Sequence, residues 1–202
     1  SETFFILGRN YFTAWKLAAD LAFSLGNKTQ SQFYNPSVVH ADSFSIDNLQ
    51  KANHILLGLT NEIPFSTGIN NLLPVPFNSN GEILEFSMTD MDYVFNQNQN
   101  LGILEAVQLQ EDETYLLAIL GNSEKGLSSA VEAISTEENI SLMKSSNFVI
   151  IAEDKQITSY SVEYQDLEVG GGQAMVTQGF GKEMISKEYL RYALIVVVVI
   201  IL

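Results

Sequence analysis

The sequence predicts an α/β protein with a doubly wound, mostly parallel β-sheet, followed by an amphipathic segment and a C-terminal transmembrane helix. Short apolar runs bounded by turn residues alternate with amphipathic helical segments along most of the chain, and this alternation indicates βαβ units. Strands of a parallel sheet are buried on both faces, so they are continuous apolar runs rather than alternating ones. The membrane helix is predicted from the closing residues, which are aliphatic and uncharged.

Apolar runs that end at turn residues predict the strands of the sheet. In chain order the predicted strands are Thr3–Gly8, Gln32–Val39, His54–Gly58, Ile103–Val107, Thr114–Leu120, Phe148–Ile151 and Thr158–Tyr164. Pro36 weakens the second strand, because proline has no N–H to donate to a neighbouring strand. The last two strands flank Asp154-Lys155 and are expected to pair as a hairpin. A further hairpin is expected within the polar stretch 78–100.

Two longer segments have the periodicity of surface helices. The first, Tyr11–Leu25, is expected to stop at Gly26. Its apolar positions recur at helical spacing and are expected to face the core: Trp15, Ala18, Ala19, Ala22 and Leu25. The second, Ser123–Ser135, begins with a residue suited to cap it, and its apolar face comprises Leu127, Ala130, Val131 and Ile134. Short helices or turns are also expected at 46–51 and 61–71.

The chain is expected to divide into a domain at residues 1–168, a linker with an amphipathic segment at 169–188 and the start of a membrane helix at 189–202. Gly170-Gly171-Gly172 is the clearest linker. The run Ala193–Leu202 is about half of the roughly 20 apolar residues that span a bilayer. The membrane interpretation therefore expects the chain to continue. A long buried strand and an interfacial segment are the alternatives.

The composition excludes several classes of function. The formal net charge is −14, which argues against nucleic acid as a partner because phosphate binding relies on clustered Lys and Arg. The chain has no cysteine, so disulfides, thiolate catalysis and cysteine-based metal sites are excluded. No catalytic constellation emerges, and the sequence predicts no catalytic, cofactor-binding or metal-binding residue.

Gly121-Asn-Ser-Glu-Lys-Gly126 lies between a strand and a helix, where a phosphate-binding loop would lie. The spacing of its glycines fits such a loop, but Leu127 stands where the phosphate-binding lysine is required. The motif is therefore interpreted as a strand-to-helix turn. His40 and His54 lack partners at metal-binding spacing and are interpreted as packed or solvent-exposed side chains.

Two alternative functions depend on other residues. In the first, the domain is a small-molecule or nucleotide-binding sensor that uses the carboxyl ends of its strands, at Gly8–Asn10, Gly58–Asn61 and Gly121–Glu124. In the second, it is a glycosyltransferase in which Asp90 and Asp92 hold a divalent cation.

Three features together resemble the cyclic di-GMP-binding regulatory subunit family of bacterial cellulose synthase. They are the strand His54-Ile-Leu-Leu-Gly-Leu-Thr60, the strand–turn–helix Leu116–Ile134 and the terminal membrane helix. In that family, flavodoxin-like domains carry an I-L-I-G-T-type strand and a V-x-G-x-x-x-x-G-L-x-x-A turn. Family members are several times longer and contain β-sandwich modules between two such domains, whereas this chain matches one domain and the anchor.

The resemblance implies a non-enzymatic accessory subunit of an exopolysaccharide synthase, with a flavodoxin-like domain on the extracytoplasmic face of the cell membrane and a single-pass anchor. Its implied partners are the membrane-embedded catalytic subunit of the synthase, the lipid bilayer and the glycan product. Residues expected to contact the synthase lie in the tail: Phe180, Met184, Tyr189, Tyr192, Val196 and Val199. No cofactor is implied.

Overall fold

The structure of the protein is a computed structural model. It describes residues 3–9, 11–28, 36–44, 52–64, 68–83, 86–88, 91–93, 99–109, 114–143 and 146–162. The Gly-rich linker, the amphipathic segment and the aliphatic run lie outside these residues, as does the expected short helix or turn at 46–51. No helix of the described residues is long and apolar enough to cross a bilayer.

The described residues form nine strands and three α-helices. The strands are β1 Thr3–Leu7, β2 Ser37–His40, β3 Asn53–Leu59, β4 Phe86–Met88, β5 Met91–Tyr93, β6 Gly102–Gln108, β7 Tyr115–Gly121, β8 Phe148–Ile151 and β9 Ile157–Tyr160. The helices are α1 Tyr11–Lys28, α2 Glu124–Ser135 and α3 Glu137–Leu142. Strands β4 and β5 form a separate antiparallel pair, which confirms a hairpin within 78–100.

The other seven strands form one sheet with the order β2-β1-β3-β7-β6-β8-β9. Strands β2, β1, β3, β7 and β8 run in one direction, whereas β6 and β9 run in the other. The prediction of an α/β protein with a mostly parallel sheet is confirmed. The antiparallel entry of β6 into the sheet was not predicted, although the six residues between the predicted strands Ile103–Val107 and Thr114–Leu120 are too few for a parallel crossover. The position of β6 between β7 and β8 has no such signal in the sequence.

The three α-helices pack on the same face of the sheet. Buried side chains of α1 and α2 share a core cluster with alternate residues of the strands, such as Leu57 and Ile119, and Ile140 of α3 packs against the same cluster. The other face is covered, within the described residues, by loops and short 3₁₀ helices, which contribute Phe44, Ile69 and Phe77.

The placement of α2 and α3 on the same face as α1 departs from the predicted doubly wound sheet. The connection from β1 to β2 and the connection from β7 to β8 both pass over the helical face, but they step across the sheet in opposite directions. The two crossovers therefore have opposite handedness, because all four strands are parallel to one another. If both crossovers were right-handed, α1 and α2 would lie on opposite faces of the sheet.

The buried face of α1 differs from the predicted one. Ala14, Ala18, Leu21 and Leu25 face the core, whereas Trp15 and Ala19 are exposed. The helix also continues past Gly26 to Lys28. In α2 the prediction was correct: the Ser123 hydroxyl accepts a hydrogen bond from Gly126 N, and the expected apolar face is buried.

A buried carboxyl group binds the segment that covers the face of the sheet opposite the α-helices. The segment Pro74-Val75-Pro76 lies over β6, and Val75 contributes the only N–H of these three residues because proline has none. That N–H donates to Glu105 Oε2 at 2.8 Å. Glu105 is fully buried in β6, and no described residue bonds to its Oε1. Burial raises the pKa of Glu105 well above its usual value, and the hydrogen bond from Val75 only partly opposes this shift.

Replacing Glu105 should show how much this hydrogen bond stabilises the protein. Glu105→Leu leaves the Val75 N–H buried without an acceptor, so the free energy of unfolding should fall by about 1–3 kcal/mol. Glu105→Gln keeps a carbonyl oxygen as acceptor, so its loss should be smaller. Urea denaturation at neutral pH measures both variants. Equal losses in the two variants would show that the hydrogen bond contributes nothing.

The pH dependence of stability should carry the signature of the same group. Because the pKa of Glu105 is raised on folding, the folded protein keeps a proton that the unfolded chain releases. Its contribution is full below the unfolded-state pKa of about 4.3 and is lost as the pH rises towards the folded-state pKa. The difference in unfolding free energy between the wild type and Glu105→Gln should therefore become less favourable to the wild type as the pH rises above about 4.3. A constant difference would contradict the shifted pKa.

Candidate functional site

The carboxyl ends of β1 and β3 lie side by side and approach closely. Gly8 N donates to Leu57 O at 3.0 Å, and a Cβ atom on Gly58 would lie 3.1 Å from Gly8 Cα. A larger residue at Gly58 would require its neighbours to shift by a few tenths of an ångström, and at Gly8 the fit would be only slightly less tight. The two glycines therefore bring the chain segments that follow β1 and β3 to one edge of the sheet.

A crevice of about 430 Å³ opens at this edge. Its lining combines charged, amide, hydroxyl and apolar side chains: Arg9, Asn61, Glu62, Ile63, Pro64, Asn70, Phe77, Asn78 and Ser79. After β1 the chain continues to β2, which lies on one side of the β1–β3 pair in the strand order. After β3 the next strand of this sheet along the chain is β6, which lies on the other side of that pair. Open α/β sheets bind their ligands at such a switch point, outside the carboxyl ends of the strands. The volume is within the range of small-molecule pockets, about 300–1,000 Å³.

One wall of the crevice is the segment 68–83, and two asparagines fix its shape. The Asn70 side chain donates from Nδ2 to Phe77 O and accepts at Oδ1 from Phe77 N, both at 2.7 Å. The Asn78 Oδ1 accepts from the backbone N–H groups of Asn80 and Glu82 at 2.8 and 3.0 Å. These amides organise the wall from within, so the crevice shape is encoded by local hydrogen bonds.

The end of the wall packs directly against the end of β3. Gly81 has a φ of +76°, and a Cβ atom there would lie 2.2 Å from Thr60 O. Only glycine tolerates both this conformation and this approach. With the Glu105–Val75 hydrogen bond at its middle, the wall is held to the sheet at two separate points.

The charges at the crevice nearly balance. Arg9 Nε donates to both carboxylate oxygens of Asp42 at 3.0 Å, and both side chains are substantially exposed. Arg9 and Glu62 are the charged residues among the lining side chains. The described lining thus carries one guanidinium and one carboxylate, together with several neutral groups that donate and accept hydrogen bonds.

The structure brings together two of the three segments predicted for a ligand site. Arg9 and Asn61, from Gly8–Asn10 and Gly58–Asn61, both line the crevice. The third segment, Gly121–Glu124, does not. Asn122 there bonds to the chain entering β6: its Oδ1 accepts from Leu101 N at 2.8 Å, and its Nδ2 donates to Gln99 O at 2.7 Å.

The two glycines of the motif Gly121–Gly126, which contains this third segment, serve close packing. A Cβ atom on Gly121 would lie 2.3 Å from Leu127 N, and one on Gly126 would lie 2.1 Å from Leu101 O. Lys125, between them, forms an ion pair with Glu153. The hydrogen bond from Lys125, assisted by one from Asn100, lowers the pKa of Glu153. The segment is therefore a strand-to-helix turn, in agreement with the interpretation from sequence.

Neither histidine lines the crevice. His54 is buried, stacks on Phe4 with ring centroids 5.6 Å apart and meets Phe44 edge-on at 5.4 Å. Burial lowers the pKa of His54, and a backbone hydrogen bond with Ala52 only partly opposes the shift. His40 lies at the end of β2, edge-on to Trp15. Both are packed side chains, as the sequence indicated.

The remaining predicted site residues fall outside the part of the chain that the structure describes. This holds for Asp90, and for Asp92 only the backbone in β5 is described. Among the described residues there is no cluster of three His, Asp or Glu that could hold a metal ion. The residues expected to contact the synthase also lie outside: Phe180, Met184, Tyr189, Tyr192, Val196 and Val199.

The wall of the crevice was missed in the sequence, although two features indicate it. Glu105 is an acidic residue inside an otherwise apolar strand, and such a residue must find a partner when buried. Pro74-Val75-Pro76 cannot join a central strand, so an apolar segment of this kind must cover a sheet in another way. Neither feature alone indicates that the two segments meet.

Comparisons with known proteins gave no match to a family model, to a curated protein or to a solved structure.

Two helical glycines form a matched pair for testing the close packing at α2. Gly126→Ala would push α2 away from Leu101 and should lower the free energy of unfolding by about 1–3 kcal/mol. Gly26→Ala in α1 meets nothing within 4 Å and should instead raise it by about 0.5–1 kcal/mol. Urea denaturation compares them. Similar effects at the two sites would contradict a packing role for Gly126.

Proposed function

We propose that this chain is a non-catalytic accessory subunit of a membrane-bound exopolysaccharide synthase of the cellulose type. Its α/β domain is flavodoxin-like and lies on the extracytoplasmic face, and its C-terminal helix anchors it in the bilayer beside the catalytic subunit. The domain stabilises the synthase and guides the emerging polymer.

The arrangement of the resembling segments supports this proposal. The strand at His54–Leu59 and the strand–turn–helix that starts at Leu116 are adjacent, with six registered pairs from His54–Leu116 to Leu59–Gly121. The sheet begins β2-β1-β3-β7, and this order corresponds to the first four positions of the flavodoxin-like order 2-1-3-4. The two motifs thus form the centre of one sheet.

The observation that carries an assembly role is an exposed aromatic stripe on α1, made of Phe12, Trp15 and Phe23. Their exposed fractions are 83%, 42% and 73%. The exposed Ala19 lies between them, so the spacing of three and four residues places the stripe on one side of the helix. Exposed aromatic side chains aligned on one side of a helix are typical of contact surfaces. In the proposed accessory role this stripe faces the synthase assembly.

Deleting residues 170–202 should test the anchor. The deletion removes the aliphatic run and the predicted contacts at Phe180 and Met184. The protein should then leave the membrane fraction and no longer co-purify with a membrane-embedded synthase. Persistent co-purification after carbonate washing would contradict the tail as the docking element.

A double variant should test the aromatic stripe separately from the anchor. Phe12→Ser with Phe23→Ser removes two exposed side chains, so the free energy of unfolding should change by less than about 0.5 kcal/mol. The protein should stay in the membrane fraction but lose most of its co-purification with the synthase. Asp20→Ser, on the exposed side of the same helix, is the control. Undiminished co-purification of the double variant would contradict the role of the stripe.

A further inference from the structure

We propose that the crevice at the carboxyl ends of β1 and β3 binds an uncharged, hydroxyl-rich ligand, namely a short saccharide segment. The inference deepens the proposed function and rests on it for the choice of saccharide, a β-1,4-linked glucose chain. The crevice itself belongs to the described domain and does not depend on the anchor.

The charge balance of the crevice argues against phosphate ligands. Arg9 is the one cation among the described lining residues, and it already pairs with Asp42. A nucleotide or flavin phosphate would place further negative charge near Asp42 and Glu62, in a chain whose formal net charge is −14. Like charges at short range disfavour binding unless cations compensate them. An uncharged ligand avoids this repulsion.

The polar groups of the crevice suit hydroxyl groups. Asn61 and Ser79 are exposed at the crevice, and their side chains can both donate and accept hydrogen bonds. Arg9 adds donors and Glu62 adds acceptors. A sugar hydroxyl is itself a donor and an acceptor, so it can satisfy any of these four groups.

The remaining lining supplies shape and apolar contact. Pro64 lines the crevice and is half-buried, and its apolar ring suits the C–H groups of a sugar ring. The Asn70 and Asn78 amides are bonded within the wall, so they keep the crevice in shape without the ligand. A preformed site loses less conformational entropy on binding.

The experiment is a binding titration of the chain of residues 1–202 with a β-1,4-linked tetraglucose. The protein is kept in a polyoxyethylene-ether detergent, which has no sugar headgroup to compete. We expect saturable binding by calorimetry. Asn61→Ala should weaken it about tenfold, the effect of one hydrogen bond of about 1.4 kcal/mol. Ser79→Trp should abolish it by filling the crevice.

Asn27→Ala, an exposed asparagine near the end of α1, is the matched control and should bind like the wild type. Absence of saturable binding would overturn the proposal, and so would binding that survives both crevice substitutions. Tighter binding of inorganic phosphate or flavin mononucleotide than of the tetrasaccharide would overturn it in favour of an anion site.

The result is separable from the proposed assembly role. Saccharide binding without co-purification with a synthase would support the crevice as a saccharide site and contradict the assembly role. Co-purification without saccharide binding would support the assembly role and contradict the saccharide site.

Discussion

The hydrogen bond from Val75 N–H to Glu105 is the interaction on which the second face of this protein depends. The three α-helices pack on one face of the sheet, so the described part of the opposite face is covered by a chain of loops and short 3₁₀ helices. Such chain leaves backbone groups that need partners. Between two prolines the Val75 N–H has no neighbouring strand, and the carboxyl group of Glu105 supplies its acceptor from within the sheet. Because the same segment forms the crevice wall, one buried acidic residue connects the packing of the core to the shape of the candidate site.

The two proposed surfaces belong to different parts of the architecture. The aromatic stripe lies on α1, which covers the helical face of the sheet, whereas the crevice wall covers the other face. Contact with a partner along α1 therefore leaves the wall uncovered. An accessory subunit that holds a synthase and contacts its product needs this separation of functions. The balanced charges of the crevice lining suit an uncharged polymer in a strongly acidic chain.

Local patterns were sufficient for most elements but not for their assembly. The α2 helix was predicted correctly, with its cap and apolar face, because Ser123 and the 3.6-residue period act within one turn or two. The α1 face was partly wrong because Trp15 and Ala19 share the period of the core residues yet face outwards. The antiparallel pairing of β6 with β7 was missed although their short connection indicates it, whereas the position of β6 between β7 and β8 could not be predicted, since an apolar run does not specify its neighbours. For the site, Arg9 and Asn61 were predicted from the ends of strands, whereas Asn70, Asn78 and Ser79 were not. Their position depends on Glu105, which is about 30 residues away along the chain and meets them only after folding.

Amide hydrogen exchange at Val75 tests this account most directly. Phe77, two residues further, has its N–H bonded to Asn70 within the wall and serves as an internal reference. If the hydrogen bond to Glu105 holds the wall, Val75 should exchange slowly in the wild type and in Glu105→Gln. In Glu105→Leu, Val75 should exchange much faster, with a smaller change at Phe77. Rapid exchange of Val75 in the wild type, or equal protection in Glu105→Leu, would contradict the claim that this hydrogen bond holds the wall of the crevice.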